Sequence, residues 1–383
     1  MTHNKFRTAL IAIVFLAMIF FPIVNENLRL VKDIESAENR ALAEKPVFDV
    51  SLLDPFPRKY EAYYNDHFSL RFQLVDFYSQ LQFRFFKVSP IPELALLGKE
   101  DWFFFAGDEQ DSYLGNHRIT PAELDSFRLE LEYRREFIRQ QGGEMYFFVA
   151  PVKNNIYTEY QPSTAYPLFP DCWGEQVLNH LAQKSTIKTI NVYDTLRAWR
   201  KDQLLYFKRD NHWTPYGAFL AANVVLNRIH QDFPAVVANR PEDFRFQPSK
   251  KVVGNVAAMF GIKNLMIDTV VAFVPKAGFK ANDAAKVPYE PLEGFSYPWD
   301  YEQVKETGDT SKPKMVLICD SFGHNIFPHL AEQFGRSVKI FDAWQYMLNP
   351  EIIINEKPDV VIFMPMEGTL RHLLDNQARL GDK

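Results

Sequence analysis

The 383-residue chain has two cysteines, Cys172 and Cys319. That is too few for the disulfide framework on which small secreted scaffolds depend. One bridge would be the maximum, and Cys319 ends an apolar strand-like run, so it reads as a buried thiol. Cysteine–histidine clusters with zinc spacing are missing, so no metal site is assigned and no cofactor is expected. Basic charge is not in excess either. The formal net charge is −5, and no basic stripe is interleaved with aromatics, which argues against nucleic acid as a partner. Internal repeats and low-complexity tracts are also absent.

What is present is an ordinary globular composition, 47% hydrophobic and 24% charged. The length permits two or three domains and a large core. Phe occurs 34 times. Most copies read as core, although aromatics lining a carbohydrate groove would look the same in composition.

The chain opens with Lys5 and Arg7, followed by a charge-free run over residues 8–24, "TALIAIVFLAMIFFPIV". About 17 to 25 apolar residues span a bilayer as a helix. The run is long for the core of a cleaved signal, and no small-x-small cleavage site follows in "VNENLRL". Residues 1–24 are therefore read as an uncleaved signal anchor in preference to a cleaved signal. The basic end stays in the cytoplasm and the rest of the chain lies outside it. Residues 25–46 read as a polar stalk, and residues 47–383 as one folded domain.

Residues 47–90 suggest aromatic-rich helix, and "ELALLGKEDWFFFAGD" suggests a strand, a turn and a strand. From Thr120 the rhythm changes. Thr120, Pro121 and Glu123 form a helix-start signature, and Gly142-Gly143 a stop. "EMYFFVAPV" is a continuous apolar run, as in a strand covered on both faces. A helix around "DCWGEQVLNHLAQKS", a strand at "TINVYD", a helix at "TLRAWRK" and a strand at "QLLYF" follow. Thr214-Pro215 opens another helix. "KMVLICD", "SVKIFDAW" and "PDVVIFMPM" read as strands, and "HNIFPHLAEQFG" as a helix. Such alternation predicts an α/β fold with a mainly parallel sheet between helices. Residues 240–312 break the rhythm and read as an insertion or long lid.

In such a sheet, ligands bind beyond the carboxyl ends of strands. Asp210 and His212 follow "QLLYF". If the strand continues to His212, positions i and i+2 share a side, and the carboxylate can fix the imidazole tautomer. A polar turn with a surface histidine would give the same letters. Ser321 stands between the strand "KMVLIC" and a helix, in "CDSFG". A hydroxyl there would be exposed above the sheet, with helix amides available for an oxyanion. An ordinary N-cap is the alternative for Ser321. His324 is a rival base on the same helix face. Trp213 and Tyr216 could stack on a sugar ring or simply pack in the core.

"DNHWTPYGA" and "DSF" together resemble the alginate O-acetyltransferase family (AlgJ/AlgX-like), with its SGNH hydrolase-like domain, and the related DHHW proteins. "ENRALAEKP", "YYNDHFSLR", "LLGKEDWFFF", "APVKNNIYTEY" and "GNVAAMFG" stand in the family's order. The resemblance thus covers about residues 38–325. It implies a three-layer SGNH hydrolase-like domain in which Ser321 is the nucleophile, His212 the base and Asp210 its orienter. It makes Asn154 or Asn155 candidate oxyanion donors and Asp66-His67 a structural pair. Cys319 stands where the family usually has Gly.

The resulting expectation is a membrane-anchored periplasmic O-acetyltransferase of an alginate-like exopolysaccharide, working through an acyl-enzyme. The resemblance implies that a membrane-bound O-acyltransferase supplies the acetyl group. A polysaccharide acetylesterase with the same triad and a non-catalytic polysaccharide-binding scaffold are the alternatives.

Overall fold

The computed structural model describes residues 2–32, 42–50, 54–252, 254–260, 268–288, 302–341 and 344–380. They form two compact units, Met1–Ile91 with Ala257–Leu265, and Pro92–Val256 with Met266–Lys383.

In the first unit the charge-free run lies within the helix Thr2–Leu28. Its stretch Lys5–Leu28 is long and apolar enough to cross a membrane, and large side chains such as Ile13 and Met18 are exposed along it. Asn25 ties down its far end by donating to Val31 O and Ser69 Oγ (2.9 and 2.8 Å). The aromatic-rich segment forms the helices Phe56–His67 and Arg71–Leu81, followed by a π-helical turn, Gln82–Phe86. Asp66 is buried and accepts from the Ala43 amide at 2.8 Å. His67 Nδ1 lies 2.9 Å from Tyr63 O. These are structural bonds, the role expected for the pair. Of the anticipated stalk, residues 33–41 lie outside the described residues.

The second unit contains the strands β1 (Ala95–Leu97), β2 (Phe103–Phe105), β3 (Glu144–Phe148), β4 (Lys188–Ile190), β5 (Phe244–Val252), β6 (Asp268–Pro275), β7 (Asn282–Asp283), β8 (Gln303–Glu306), β9 (Lys314–Cys319), β10 (Arg336–Phe341) and β11 (Val360–Met364). Among the described residues the main sheet runs β4-β3-β11-β9-β10-β8-β7. β4, β3, β11, β9 and β10 are parallel, while β8 and β7 add antiparallel pairs at one edge. Every residue of β11, and all of β9 after Lys314, is buried. Such strands are covered on both faces, as their unbroken apolar sequence requires. The strand-turn-strand reading of residues 93–108 is met by β1 and β2, which pair antiparallel.

Local chemistry explains the helix borders. Thr120 Oγ1 accepts from the Glu123 amide, Glu123 Oε2 accepts from the Thr120 amide, and Pro121 opens the helix Pro121–Gln140. The chain leaves that helix through Gly142 at φ +91°, a conformation natural to glycine.

Two expectations need correction. "QLLYF" is not a strand of the sheet. Its ordered pairing is a single antiparallel bridge, Tyr206 to Trp213. The bonds Phe207 N to His212 O (3.2 Å) and Thr214 N to Leu205 O (2.7 Å) flank that bridge. The chain thus folds back on itself before the helix Pro215–His230, and among the described residues it pairs with no strand of the main sheet. The segment 240–312, read as an interruption, supplies both an antiparallel pair, β5 and β6, and two strands of the main sheet.

Beneath the sheet, Arg134 and Glu130 form a buried ion pair at 2.6 Å. Arg134 also donates to Tyr346 O and Asn376 O, and Glu130 accepts the Ala378 and Arg379 amides. Removing one partner of such a pair leaves an uncompensated buried charge, at about 3–5 kcal/mol. Arg134→Met should therefore lower the unfolding free energy of the full chain by about that amount in a urea titration. A titration superimposable on that of the wild type would show that the pair does not hold the fold.

Candidate active site

β9 sits between β11 and β10, with Cys319 in register with Met364 on one side and Phe341 on the other. The chain leaves β9 for β10 and then crosses to β11 on the opposite side, so the end of β9 is a switch point of the sheet. Ser321 lies two residues beyond that end, just before the helix Gly323–Ala331.

Asp320 shapes this turn. Its Oδ1 accepts from the Phe322 amide at 2.8 Å, and its Oδ2 from Tyr346 OH (2.9 Å) and the Met366 amide (2.7 Å). Complete burial raises its pKa, against the lowering effect of these bonds. With Asp320 supplying the side-chain acceptor, no side chain of the N-cap residue closes the following helix. The N-cap reading of Ser321 is not met.

Instead, Ser321 Oγ lies 2.7 Å from His212 Nε2. His212 Nδ1 lies 2.6 Å from Asp210 Oδ1, and the same oxygen accepts the His212 amide at 2.9 Å. The Asp–His contact is therefore made within one tight turn, not along a continuing strand. Proton placement follows from the acceptors: Nδ1–H donates to the carboxylate, leaving Nε2 to accept from the serine hydroxyl. The other carboxylate oxygen, Oδ2, accepts the Asn255 amide at 2.9 Å. Burial pushes the Asp210 carboxyl up, but the hydrogen bonds from His212 and Asn255 and the imidazole charge outweigh it, bringing the pKa to about 2.

Neighbouring aromatics lock the two segments together. Trp213 is fully buried and its Nε1 donates to Phe322 O at 3.0 Å, while Asn325 Nδ2 donates to Trp213 O at 3.1 Å. The Phe322 ring lies 4.9 Å from the His212 ring and 5.1 Å from that of Trp213. Tyr216 packs against Phe219, Phe246 and Phe273. Both aromatics belong to the packing and not to an open stacking platform.

Other candidates are engaged elsewhere. His324 Nδ1 lies 2.9 Å from Lys339 Nζ, and burial, with Lys339 and His212 nearby, brings its pKa down to about 4. Asn154 Nδ2 donates to Phe105 O and Gln110 Oε1, and Asn155 Nδ2 to Ser112 Oγ and Glu367 Oε1. The Phe322 and Gly323 amides are used within the turn, on Asp320 Oδ1 and Asp320 O. None of these groups is free in this arrangement to serve as the expected oxyanion donor. Cys172 and Cys319 are both buried. Among the described residues no cluster of three His, Cys, Asp or Glu side chains could hold a metal.

Residues that motif reading did not single out stand behind the dyad. Lys153 is fully buried and donates to Phe207 O, Lys208 O and Asp210 O at 3.1, 3.1 and 2.6 Å. Burial lowers its pKa to about 7, against the raising effect of Asp210, Glu109 and Asp268. Glu109 accepts from Asn211 Nδ2 at 3.1 Å. Burial raises its pKa to about 7, opposed by the Asn211 bond and by Lys153 and His212. The backbone of Gly254 rests on Arg209, where a Cβ would fall 2.0 Å from Arg209 O. Neither carried a local signal: Lys153 stands in "VKNNI" and Glu109 in "GDEQDS", polar stretches that read as exposed.

The geometry predicts a titration. A folded-state pKa of about 2 for Asp210 lies below the unfolded carboxyl range, about 3.9. Its contribution to stability is thus present above pH about 4 and lost as the pH falls through about 2. Carboxyl-carbon NMR should show Asp210 titrating near the bottom of that window. A midpoint at or above the unfolded value would contradict the hydrogen-bonded carboxylate.

Comparison with known proteins adds family and fold. Residues 95–344 match the family model described as "SGNH hydrolase-like domain, acetyltransferase AlgX". Over 188 residues the chain is 26% identical to a probable alginate O-acetylase AlgJ of Pseudomonas syringae pv. tomato, covering 48% of this chain and 44% of that protein. The chain thus matches under half the length of this curated relative. The structure of Bacillus cereus PatB1 superposes with a TM-score of 0.52 at 20% identity, covering 72% of this chain and 97% of that one. The same protein with a sulfonyl adduct gives a TM-score of 0.50, at the same identity and coverage.

Proposed function

Because the chain belongs to the family of SGNH hydrolase-like acetyltransferase AlgX domains, we propose that it is an O-acetyltransferase that modifies hydroxyls of an exopolysaccharide through Ser321, His212 and Asp210. The observation that carries this reading is the relay itself, Ser321 Oγ to His212 Nε2 at 2.7 Å and His212 Nδ1 to Asp210 Oδ1 at 2.6 Å. Hydroxyl, base and orienter stand within hydrogen-bond reach at a switch point of the sheet.

In the first half-reaction Ser321 Oγ attacks the carbonyl carbon of a donor acetyl group, and its proton passes to His212 Nε2. The bond from that carbon to the donor oxygen or sulfur breaks, and the imidazolium protonates the leaving group. Acetyl-Ser321 remains. In the second half, His212 takes the proton of a sugar hydroxyl, whose oxygen attacks the acetyl carbon. The ester bond to Oγ breaks, and the imidazolium returns the proton to Ser321. Asp210 stays ionised throughout and supports the positive ring.

The alginate O-acetylase name of the Pseudomonas relative supports a polysaccharide acceptor. The apolar segment Lys5–Leu28 supports an inner-membrane anchor. The catalytic domain then faces the periplasm, beyond a polar stalk, where a membrane-bound O-acyltransferase would supply acetyl groups.

Three outcomes test the reading. The full chain in detergent should cleave a chromogenic acetyl ester, and Ser321→Ala should abolish this. Asp210→Asn should lower kcat by about 10⁴-fold, because the imidazole loses the partner that sets its tautomer. With an oligosaccharide present, mass spectrometry should find acetyl groups added to the sugar. Acetate release that no sugar diverts, with deacetylation of acetylated polymer, would make the protein an esterase. Sugar binding without turnover of any ester would make it a scaffold.

Topology is tested separately. Alkaline phosphatase fused after Lys383 should be active. An active cytoplasmic reporter at the same position would refute the proposed location.

A further inference from the structure

The loop that carries Asp210 and His212 lies outside the main sheet, yet it must hold an imidazole against a hydroxyl at the end of β9. We propose that Lys153 is a positioning residue that fixes this loop to the sheet and thereby aligns the Asp210–His212 dyad. The inference rests on the catalytic reading above and adds a residue that does not touch the reacting atoms.

Lys153 follows β3 at its carboxyl end and begins the short helix Lys153–Ile156. Its ammonium has three N–H donors, and three carbonyls of one loop, those of Phe207, Lys208 and Asp210, receive them. The Asp210 bond, at 2.6 Å, is the shortest of the three and acts on the backbone of the residue whose carboxylate holds His212. A side chain with all its donors used cannot swing without breaking three bonds. The buried ammonium also has aromatic faces beside it, Phe104 at 5.1 Å and Trp102 at 5.8 Å from the ring centroids.

Other ties of the loop share one of these carbonyls or act elsewhere. Phe103 N donates to Lys208 O at 2.9 Å, and Arg209 N donates to Asp268 Oδ2 at 2.9 Å. Asn255 N holds the Asp210 carboxylate from the opposite side. Lys153 is the tie that gathers carbonyls on both sides of Arg209 onto an element continuous with the sheet. Removing its charge and donors leaves the loop closed, with Lys208 O still held by Phe103 N, but takes the Lys153 bonds from Phe207 O and Asp210 O, so the carboxylate shifts relative to Ser321. A displacement of about 1 Å at a reacting group can cost about 100-fold in rate.

The test uses the full chain in detergent with Lys153→Met, which keeps the length of the side chain, and Lys153→Gln, which keeps neutral N–H donors. For Lys153→Met, kcat for an acetyl ester should fall by about 100-fold with KM unchanged and the thermal midpoint close to wild type. Lys153→Gln should retain more of kcat than Lys153→Met. The His212 Nδ1 proton, hydrogen-bonded to a carboxylate, should give a downfield NMR resonance in the wild type that moves or disappears in both variants. Wild-type kcat in folded Lys153→Met, or an unshifted resonance in either variant, would overturn the proposal. A kcat loss that only tracks loss of folded protein, with the resonance unchanged in the folded fraction, would also overturn it. The resonance does not need turnover: failure of the catalytic reading appears as an inactive wild type or an active Ser321→Ala, whereas failure of this inference appears in the Lys153 variants alone.

Discussion

The contact of Ser321 with His212 joins two segments 109 residues apart, and most of the buried polar structure around it serves to hold those segments in place. One side is rigid because Ser321 extends from β9, which is paired on both edges and buried on both faces. The other side is a loop without a place in the sheet, closed by a single bridge. A loop has few backbone partners of its own, so its position must come from side chains. Trp213 and Asn325 provide two such bonds across the gap, one in each direction. The Phe322 ring fills the space between them against both His212 and Trp213.

Beneath Ser321 a chain of buried acceptors and donors continues through the core. Asp320 takes the Phe322 amide with one oxygen and Tyr346 OH and the Met366 amide with the other. Tyr346 O in turn accepts from Arg134, whose partner Glu130 accepts the Ala378 and Arg379 amides. Each member is satisfied by a group on a different element, so the turn at Ser321 is anchored to β11, to the segment after β10 and to the helix Pro121–Gln140. Buried ionic groups are costly unless they are paired or hydrogen-bonded, and each carboxylate oxygen of Asp320 and Glu130 accepts at least one donor. Glu367 is a parallel case after β11, accepting from Ser112, Asn155, the Val152 amide and Tyr193.

The environment also separates the carboxyls by role. Asp210 is held at about 2 by the imidazole and two amides, whereas Glu109, buried with one hydrogen bond from Asn211, rises to about 7. The two lie in the same region and differ in how many donors reach them. The acid held ionised beside a histidine is the one surrounded by N–H groups. His324 shows the same logic in reverse. Burial and the neighbouring Lys339 keep its ring neutral, and Lys339 occupies the nitrogen that a relay would need.

Much of the fold was legible because its determinants are local. Continuous apolar runs marked β3, β9 and β11, and the Thr120–Glu123 capping box marked a helix start, since strand burial and capping need only neighbouring residues. "QLLYF" was misread because an apolar run reports burial and not pairing, and the strand edges of β3 are already taken by β4 and β11. Asp210 and His212 were identified from two letters at i and i+2, and their bond is indeed local, although a tight turn makes it and not a strand. Ser321 was legible as a strand-to-helix turn. That its hydroxyl meets His212 and caps nothing was decided by packing, as were the engagement of Asn154 and Asn155 and the three carbonyls on Lys153. The sequence by itself determined which groups could do chemistry and what their adjacent residues could reach. Only the tertiary structure decided which distant groups meet, because a buried donor takes whichever acceptor the packed core leaves beside it.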